Sequence, residues 1–65
     1  MNIQINGDAR EVTDGANIWQ LLEQLGFPES GIAVAINHTV VPKSDWDTVV
    51  SVGANVEIVT AVQGG

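Results

Sequence analysis

The chain has 65 residues and no cysteine, and this combination restricts how it can hold a fold together. A domain of this size buries only about 60% of the surface that its unfolded chain exposes, so many small domains depend on disulfides, metals or partners. Disulfides are excluded, and His38, the single histidine, cannot supply the four ligands of a structural zinc site. We therefore expect one domain that a hydrophobic core stabilises.

The balance of apolar and charged residues indicates a folded protein that binds other proteins. Hydrophobic residues make up 45% of the chain and charged residues 15%, which is typical of a globular domain. The formal net charge is −6, with Arg10 and Lys43 the only cations, so the phosphates of a nucleic acid would repel the chain. The same negative field steers a protein towards basic protein surfaces. We predict protein partners and no nucleic-acid binding.

No segment of the sequence is typical of a membrane protein. No apolar run approaches the roughly 20 residues that a membrane-spanning helix requires. Residues Met1 to Gln4 also lack the basic start and the apolar stretch of a signal peptide. We expect a cytoplasmic protein that does not bind membranes.

The sequence begins with the pattern of a β-hairpin. Apolar and polar residues alternate from Met1 to Asn6, as in a strand with one buried face. Asn6-Gly7 favours the positive backbone angles of a tight hairpin turn. We therefore expect residues 9–12 to return as an antiparallel strand.

A helix with one apolar face should follow the hairpin. Asn17, followed three residues later by Gln20, has the pattern of a capping box that begins a helix. Gly26 and Pro28 should end it. The apolar residues of this segment recur at helical spacing and predict a stripe that faces the core: Ile18, Leu21, Leu22 and Leu25.

The second half of the sequence predicts three more strands and a short helical turn. Ile32–Ile36 is apolar without alternation, which favours a strand that is covered on both faces or lies at the centre of the sheet. Pro42 should close a strand at Val40-Val41 or place that strand at an edge. Ser44 and Asp47 have the spacing of a capped helical turn, with Trp46 and Val49 on one side of it. Val56–Val62 is rich in β-branched residues and predicts the last strand.

Two glycines end the chain, and they do not help the strand before them. Glycine loses the most backbone entropy on ordering and has no side chain to pack. Residues Gln63, Gly64 and Gly65 would span about 10 Å when extended, which is enough to enter a partner's cleft. There the Gly65 carboxylate could be activated by adenylation in a site that excludes water. The alternative is an end that frays and has no role.

Several segments together resemble a known family. They are Ile18–Leu25, Ala33–Asn37, Val40–Lys43 with Trp46 after it, and the ending Val62–Gly65. This combination covers nearly the whole chain and resembles the ubiquitin-like β-grasp family, and within it the ThiS family of sulfur carriers in thiamine biosynthesis. The resemblance implies an α+β fold of the β-grasp type over residues 1–62. Its parts would be a mixed sheet of four to five strands, one main helix on one face and a short second helix or 3₁₀ turn, with residues 63–65 as a flexible tail.

The resemblance also implies a function for the tail. An adenylating enzyme of the ubiquitin-activating type would use ATP and magnesium to convert Gly65 to an acyl adenylate. Sulfur from cysteine, delivered as a persulfide by a cysteine desulfurase or a related carrier, would then replace AMP and leave a thiocarboxylate. Thiazole synthase would incorporate that sulfur into the thiazole ring of thiamine. The chain would itself be no enzyme and would bind no cofactor, because it has no nucleotide-binding loop.

Two other functions stay open at this point. The small subunit of molybdopterin synthase has a similar fold and also uses a C-terminal thiocarboxylate, although its chain is usually longer. A domain of this kind could also be an interaction module whose glycines are never modified. A mass change at Gly65 would separate the carriers from the module.

A second group of residues is predicted to contact partners. In a fold with one main helix, one face of the sheet stays uncovered, and Val59, Ala61 and Val62 could form a docking surface there. The alternative is that they belong to the core. Glu57 shares a face with Val59, which indicates that this face is exposed to solvent.

The remaining polar and aromatic residues are predicted to have structural roles. We expect His38 to be a solvated turn residue, and Trp19 and Trp46 to pack rather than bind a ligand. Asp45 should be exposed and Asp47 should cap the helical turn, so the two do not indicate a catalytic pair.

Overall fold

A computed structural model describes residues 1–60 of the chain. The described chain contains an α-helix, a 3₁₀ helix and the strands of a single sheet. In chain order these are β1 (Asn2–Ile5), β2 (Asp8–Glu11), α1 (Ile18–Leu25), β3 (Ile32–Ile36), β4 (Thr39–Val41), the 3₁₀ helix (Lys43–Asp45) and β5 (Asn55–Thr60). The predicted boundary between domain and tail, at residue 62, lies outside the described residues and stays a prediction.

The sheet is mixed and has the strand order β2-β1-β5-β3-β4. β1 and β5 run parallel, and the other three neighbouring pairs are antiparallel. Helix α1 lies between the two hairpins in the chain, and its buried residues join the residues of one sheet face in a single core. This is the β-grasp arrangement, so the predicted α+β fold with a mixed sheet is confirmed.

The middle of the sheet belongs to β5, not to β3 as the sequence indicated. β3 is an inner strand between β5 and β4, but only Val34 in it is buried. The uniform apolar run was misleading because Ala33 and Ala35 lie on the face that no helix covers, where small side chains remain partly exposed. β5 pairs with β1 on one side and with β3 on the other.

The first hairpin has the predicted turn. Asn6 and Gly7 both have positive φ, 51° and 87°, and Ile5 is directly opposite Asp8 in the register. Positive φ at both central residues matches the right-handed twist of the two strands. The strand β2 begins one residue earlier than predicted, and all four of its residues are exposed, as is common for an edge strand.

Helix α1 begins and ends at the predicted residues. The Asn17 side chain accepts a hydrogen bond of 2.8 Å from the backbone N–H of Gln20, and the Gln20 side chain accepts one of 2.9 Å from the backbone N–H of Asn17. Gly26 ends the helix in the left-handed conformation, with φ 78°. Of the predicted apolar stripe, Leu25 is partly buried and the other three residues are fully buried.

The predicted capping of the second helical turn is wrong. The 3₁₀ helix begins directly after Pro42 and has no side-chain hydrogen bond at its start, so neither Ser44 nor Asp47 caps it. Trp46 is buried, whereas Val49 is 58% exposed, so the two do not share a side. The chain is already extended at Val49, which bridges to Asn17, and therefore Val50 rather than Val49 enters the core.

Candidate functional site

The strand β5 leads towards the predicted modification site. It lies in the middle of the sheet, is described as far as Thr60, and pairs there with Ile32 of β3. The predicted tail, Gln63, Gly64 and Gly65, and the predicted docking residues Ala61 and Val62 lie outside the described residues. What the structure describes is therefore the base from which the chain continues towards Gly65.

One face of the sheet is not covered by α1, and we call it the open sheet face. It has a shallow pocket whose exposed and partly exposed lining residues are Ala33, Ala35, Val40, Glu57 and Val59. Val40 and Val59 are 69% and 58% exposed. Val59 is therefore not a core residue, and an apolar surface with one carboxylate lies beside the base of the tail.

Glu57 is the charged residue of the open sheet face, and His38 lies next to it. The Nδ1 atom of His38 is 3.4 Å from a carboxylate oxygen of Glu57, and the two side chains are exposed and half-buried respectively. His38 is the turn residue that the sequence predicted, with φ 71°. Its contact with Glu57 was not predicted, because the two residues meet only through the register of β3 against β5.

Two asparagines bond β5 at different points, Asn37 at its first residue and Asn6 at Ile58 further along. Asn6 accepts a hydrogen bond of 2.8 Å from the N–H of Ile58 and donates one of 3.1 Å to its carbonyl oxygen. Asn37 accepts one of 3.0 Å from the N–H of Asn55. Sequence reasoning identified both asparagines only as turn residues. Their positive φ angles, 51° and 50°, place the side chains beside the neighbouring strand.

The two tryptophans have the packing roles that the sequence predicted, and they also contact each other, which it did not predict. Their ring centroids are 5.0 Å apart at an interplanar angle of 70°, and the Nζ of Lys43 lies 5.5 Å from the Trp19 centroid and 5.7 Å from that of Trp46. Edge-to-face pairing and a nearby cation both stabilise aromatic clusters. Trp19 therefore covers the core between α1 and the 3₁₀ helix.

The acidic residues of the described chain do not form a metal site. Asp45 and Asp47 are both exposed. Within residues 1–60, no three His, Cys, Asp or Glu side chains converge in a way that could hold a metal ion. The α1 helix is also too short to cross a membrane, and no other helix in the described part of the chain is long and apolar enough to do so.

Comparison with known proteins agrees with the fold, and the match extends to the last residue of the chain. The model of the ThiS family matches residues 3–65. The chain belongs to the ThiS family. It is 33% identical over 66 residues to the sulfur carrier protein ThiS of Escherichia coli, with the whole of both chains covered.

Solved structures of another ThiS protein have the same fold. The crystal structure of the thiamine biosynthesis protein ThiS from Geobacter metallireducens superposes with a TM-score of 0.87, at 29% sequence identity and full coverage of both chains. The solution structure from the same organism gives 0.80, with all of this chain and 88% of the other covered. The resemblance to ThiS that the sequence motifs indicated is thereby confirmed.

Proposed function

We propose that this ThiS family member carries sulfur for synthesis of the thiazole moiety of thiamine, and that the carboxylate of Gly65 is its working group. The observation that carries the proposal is the family match, which runs through residue 65 and so includes the terminal glycines. The fold supports it, because the strand nearest to Gly65 in sequence is the middle strand of the sheet. A base that is anchored in the middle of the sheet suits an end that is presented to a partner.

The first step is activation of the carboxylate, which is a poor electrophile. An oxygen of the Gly65 carboxylate attacks the α-phosphorus of ATP, and pyrophosphate leaves to give the acyl adenylate. We assign ATP and magnesium to the adenylating partner, an enzyme of the ubiquitin-activating type. The sequence has no phosphate-binding glycine loop, and the mixed anhydride must be shielded from water.

The second step transfers sulfur. The outer sulfur of a persulfide, formed on a cysteine desulfurase or a related carrier, attacks the activated carbonyl carbon, and AMP leaves with the electrons of the broken bond. A thiol then reduces the sulfur–sulfur bond and releases the thiocarboxylate. Thiocarboxylate sulfur is a better nucleophile than carboxylate oxygen, and it attacks the acceptor that thiazole synthase binds. An oxygen from the acceptor or from water then replaces the sulfur on the Gly65 carbonyl carbon as the carbon–sulfur bond breaks, which restores the carboxylate.

The open sheet face is the proposed docking surface for these partners. Val59 lies on it, and Ala61 and Val62 follow after Thr60 in the sequence towards the tail. The net charge of −6 favours a partner with a basic surface, and Glu57 offers a carboxylate within the apolar face. A partner that binds there is held next to the base of the tail.

One experiment tests the carrier function directly. The purified protein is incubated with ATP, magnesium, a cognate adenylating enzyme and a persulfide donor, and its intact mass is measured. We expect a gain that equals the exchange of one oxygen for one sulfur, and no gain in a variant that lacks Gly65. An unchanged mass, with an enzyme that is active on another carrier, would support an unmodified interaction module instead.

A matched pair of acceptors identifies the pathway. The thiocarboxylated protein is given either to thiazole synthase or to the large subunit of molybdopterin synthase. We expect loss of sulfur only with thiazole synthase, because the matching family is ThiS. Transfer to the molybdopterin enzyme alone would contradict the proposal.

A further inference from the structure

The strand β1 ends before β5 does, and this leaves one side of β5 without a backbone partner. β1 pairs with β5 only at Gln4 with Asn55 and at Ile5 with Val56. Successive residues of a strand direct their backbone groups to opposite neighbours. Ile58 therefore directs its N–H and carbonyl towards the side where the β1 backbone has already turned away.

The side chain of Asn6 takes the place of the missing strand. The backbone N–H of Asn6 donates to the carbonyl of Val56 at 2.9 Å. The side-chain amide of Asn6 then bonds both the N–H and the carbonyl oxygen of Ile58. An asparagine amide offers one acceptor and two donors, so it can pair with a peptide group as a second peptide would. Asn6 thus extends the pairing beside β5 by one residue beyond β1.

We propose that Asn6 is a positioning residue for the reaction at Gly65, and this rests on the sulfur-carrier function proposed above. Ile58 is held by Asn6 on one side and lies opposite Val34 of β3 on the other. Val59 and Thr60 are then paired to β3 alone within the described chain. The direction in which the chain continues towards Gly65 depends on how firmly Ile58 is held.

The expected effect is on turnover rather than on docking. A firmly held base restricts the volume that the terminal carboxylate samples and so raises its effective concentration at the partner's reactive centre. The open sheet face, which we propose binds the partner, has other residues. Loss of the Asn6 side chain should therefore lower kcat for adenylate formation and leave KM for the carrier unchanged.

Asn37 provides a matched control within the same chain. It also lies in a hairpin turn with positive φ, and it also bonds a backbone group of β5 through its side chain. Its partner, however, is Asn55, at the end of β5 that is distant in sequence from Gly65. If the role of these side chains were merely structural, kcat would fall in both variants in step with their loss of stability.

The experiment compares Asn6→Gly, Asn37→Gly and Asn6→Asp with the unmodified sequence. Glycine adopts positive φ without strain, so both glycine variants keep their turns and lose only the side-chain bonds. For each protein we measure the melting temperature, and kcat and KM for adenylate formation with the cognate enzyme. Amide hydrogen exchange at Val59 is measured as well, because that N–H faces β3 and reports fraying of the end of β5.

For Asn6→Gly we expect kcat to fall about tenfold, as two hydrogen bonds of ordinary net strength would give. KM should stay within about twofold, and Val59 should exchange faster. Asn37→Gly loses one side-chain bond rather than two, so we expect a smaller fall in melting temperature and no fall in kcat. Asn6→Asp keeps the acceptor for the Ile58 N–H, so its kcat should lie between those of Asn6→Gly and the unmodified protein. If Asn6→Gly does not fold, the same comparison is made with Asn6→Asp alone.

Two results would overturn the positioning role. One is an equal fall in kcat for Asn6→Gly and Asn37→Gly. The other is an unchanged exchange rate at Val59 in Asn6→Gly, which needs no enzyme to observe. Failure of the carrier function itself has a different appearance, because the unmodified protein would then form no adenylate.

Discussion

The Trp46 side chain donates its indole N–H to the carbonyl oxygen of Val41, at 3.0 Å. This bond ties the residue that follows the 3₁₀ helix to the end of the edge strand β4. The ring itself is buried in the core, and the Trp19 ring packs against it in a T-shaped arrangement. A single side chain thus joins the sheet, the 3₁₀ helix and α1.

Replacing Trp46 should therefore destabilise the domain more than replacing Trp19. Trp46→Phe loses the hydrogen bond to Val41 and leaves a small cavity, and we expect the free energy of unfolding to fall by about 1–3 kcal/mol. Urea denaturation followed by circular dichroism measures it. Trp19→Phe is the control, since Trp19 is only partly buried. Equal losses in the two variants would contradict this account of the core.

The capping box of α1 should make a measurable contribution to stability. Asn17→Ala removes the acceptor for the Gln20 N–H, and we expect a loss of about 1 kcal/mol in the free energy of unfolding. Gln20→Ala removes the reciprocal bond but keeps the cap, so its loss should be smaller. Urea denaturation of both variants tests the order. A larger loss for Gln20→Ala would show that packing rather than capping dominates at this end.

Features that depend on a few adjacent residues could be predicted from the sequence. The Asn6-Gly7 turn, the Asn17 cap and the Gly26 end of α1 were confirmed because the backbone angles or side-chain bonds they require are local. The second helical turn shows where this fails. Ser44 and Asp47 satisfy the capping pattern, but Pro42 starts the 3₁₀ helix earlier and leaves neither in a capping position.

Features that depend on strand register could not be predicted. Asn6 and Ile58 are 52 residues apart, and their contact exists only because β1 and β5 are neighbours in parallel. The contact of His38 with Glu57 likewise requires β3 to pair with β5. The prediction of Gly65 as the modified residue, by contrast, rests on the chemistry of a terminal carboxylate and on a family resemblance. Neither of these requires knowledge of the strand register.

The α-amino group of Met1 should make stability depend on pH. The protonated amine donates hydrogen bonds to the carboxylates of Asp14 and Glu11, at 2.7 and 3.2 Å, and these raise its pKa above the usual 8.0. A raised pKa stabilises the fold fully below pH 8.0, and this contribution is lost as pH rises through the raised value. We expect the melting temperature to fall over that interval.

The control for the pH prediction is the same protein with its α-amine acetylated. It lacks the charge, so its melting temperature should not show this fall. Added salt should also weaken the effect in the unmodified protein, because Glu11 and Asp14 are 74% and 87% exposed and the interaction is screened. Identical pH profiles for the two proteins would contradict the assignment to Met1.

The open sheet face can be tested with two exposed valines. Val59 lies on that face. Val52 lies in the loop before β5, where the N–H of Gly53 donates to the carbonyl oxygen of Asn2 at the start of β1. Val59→Ser removes an apolar contact that a docked partner would bury, and we expect KM for the adenylating enzyme to rise about tenfold. Val52→Ser should leave KM unchanged. Neither change touches the core, because both side chains are more than half exposed in the free protein, at 58% and 73%. A rise in KM for both variants, or for Val52→Ser alone, would place the docking surface elsewhere.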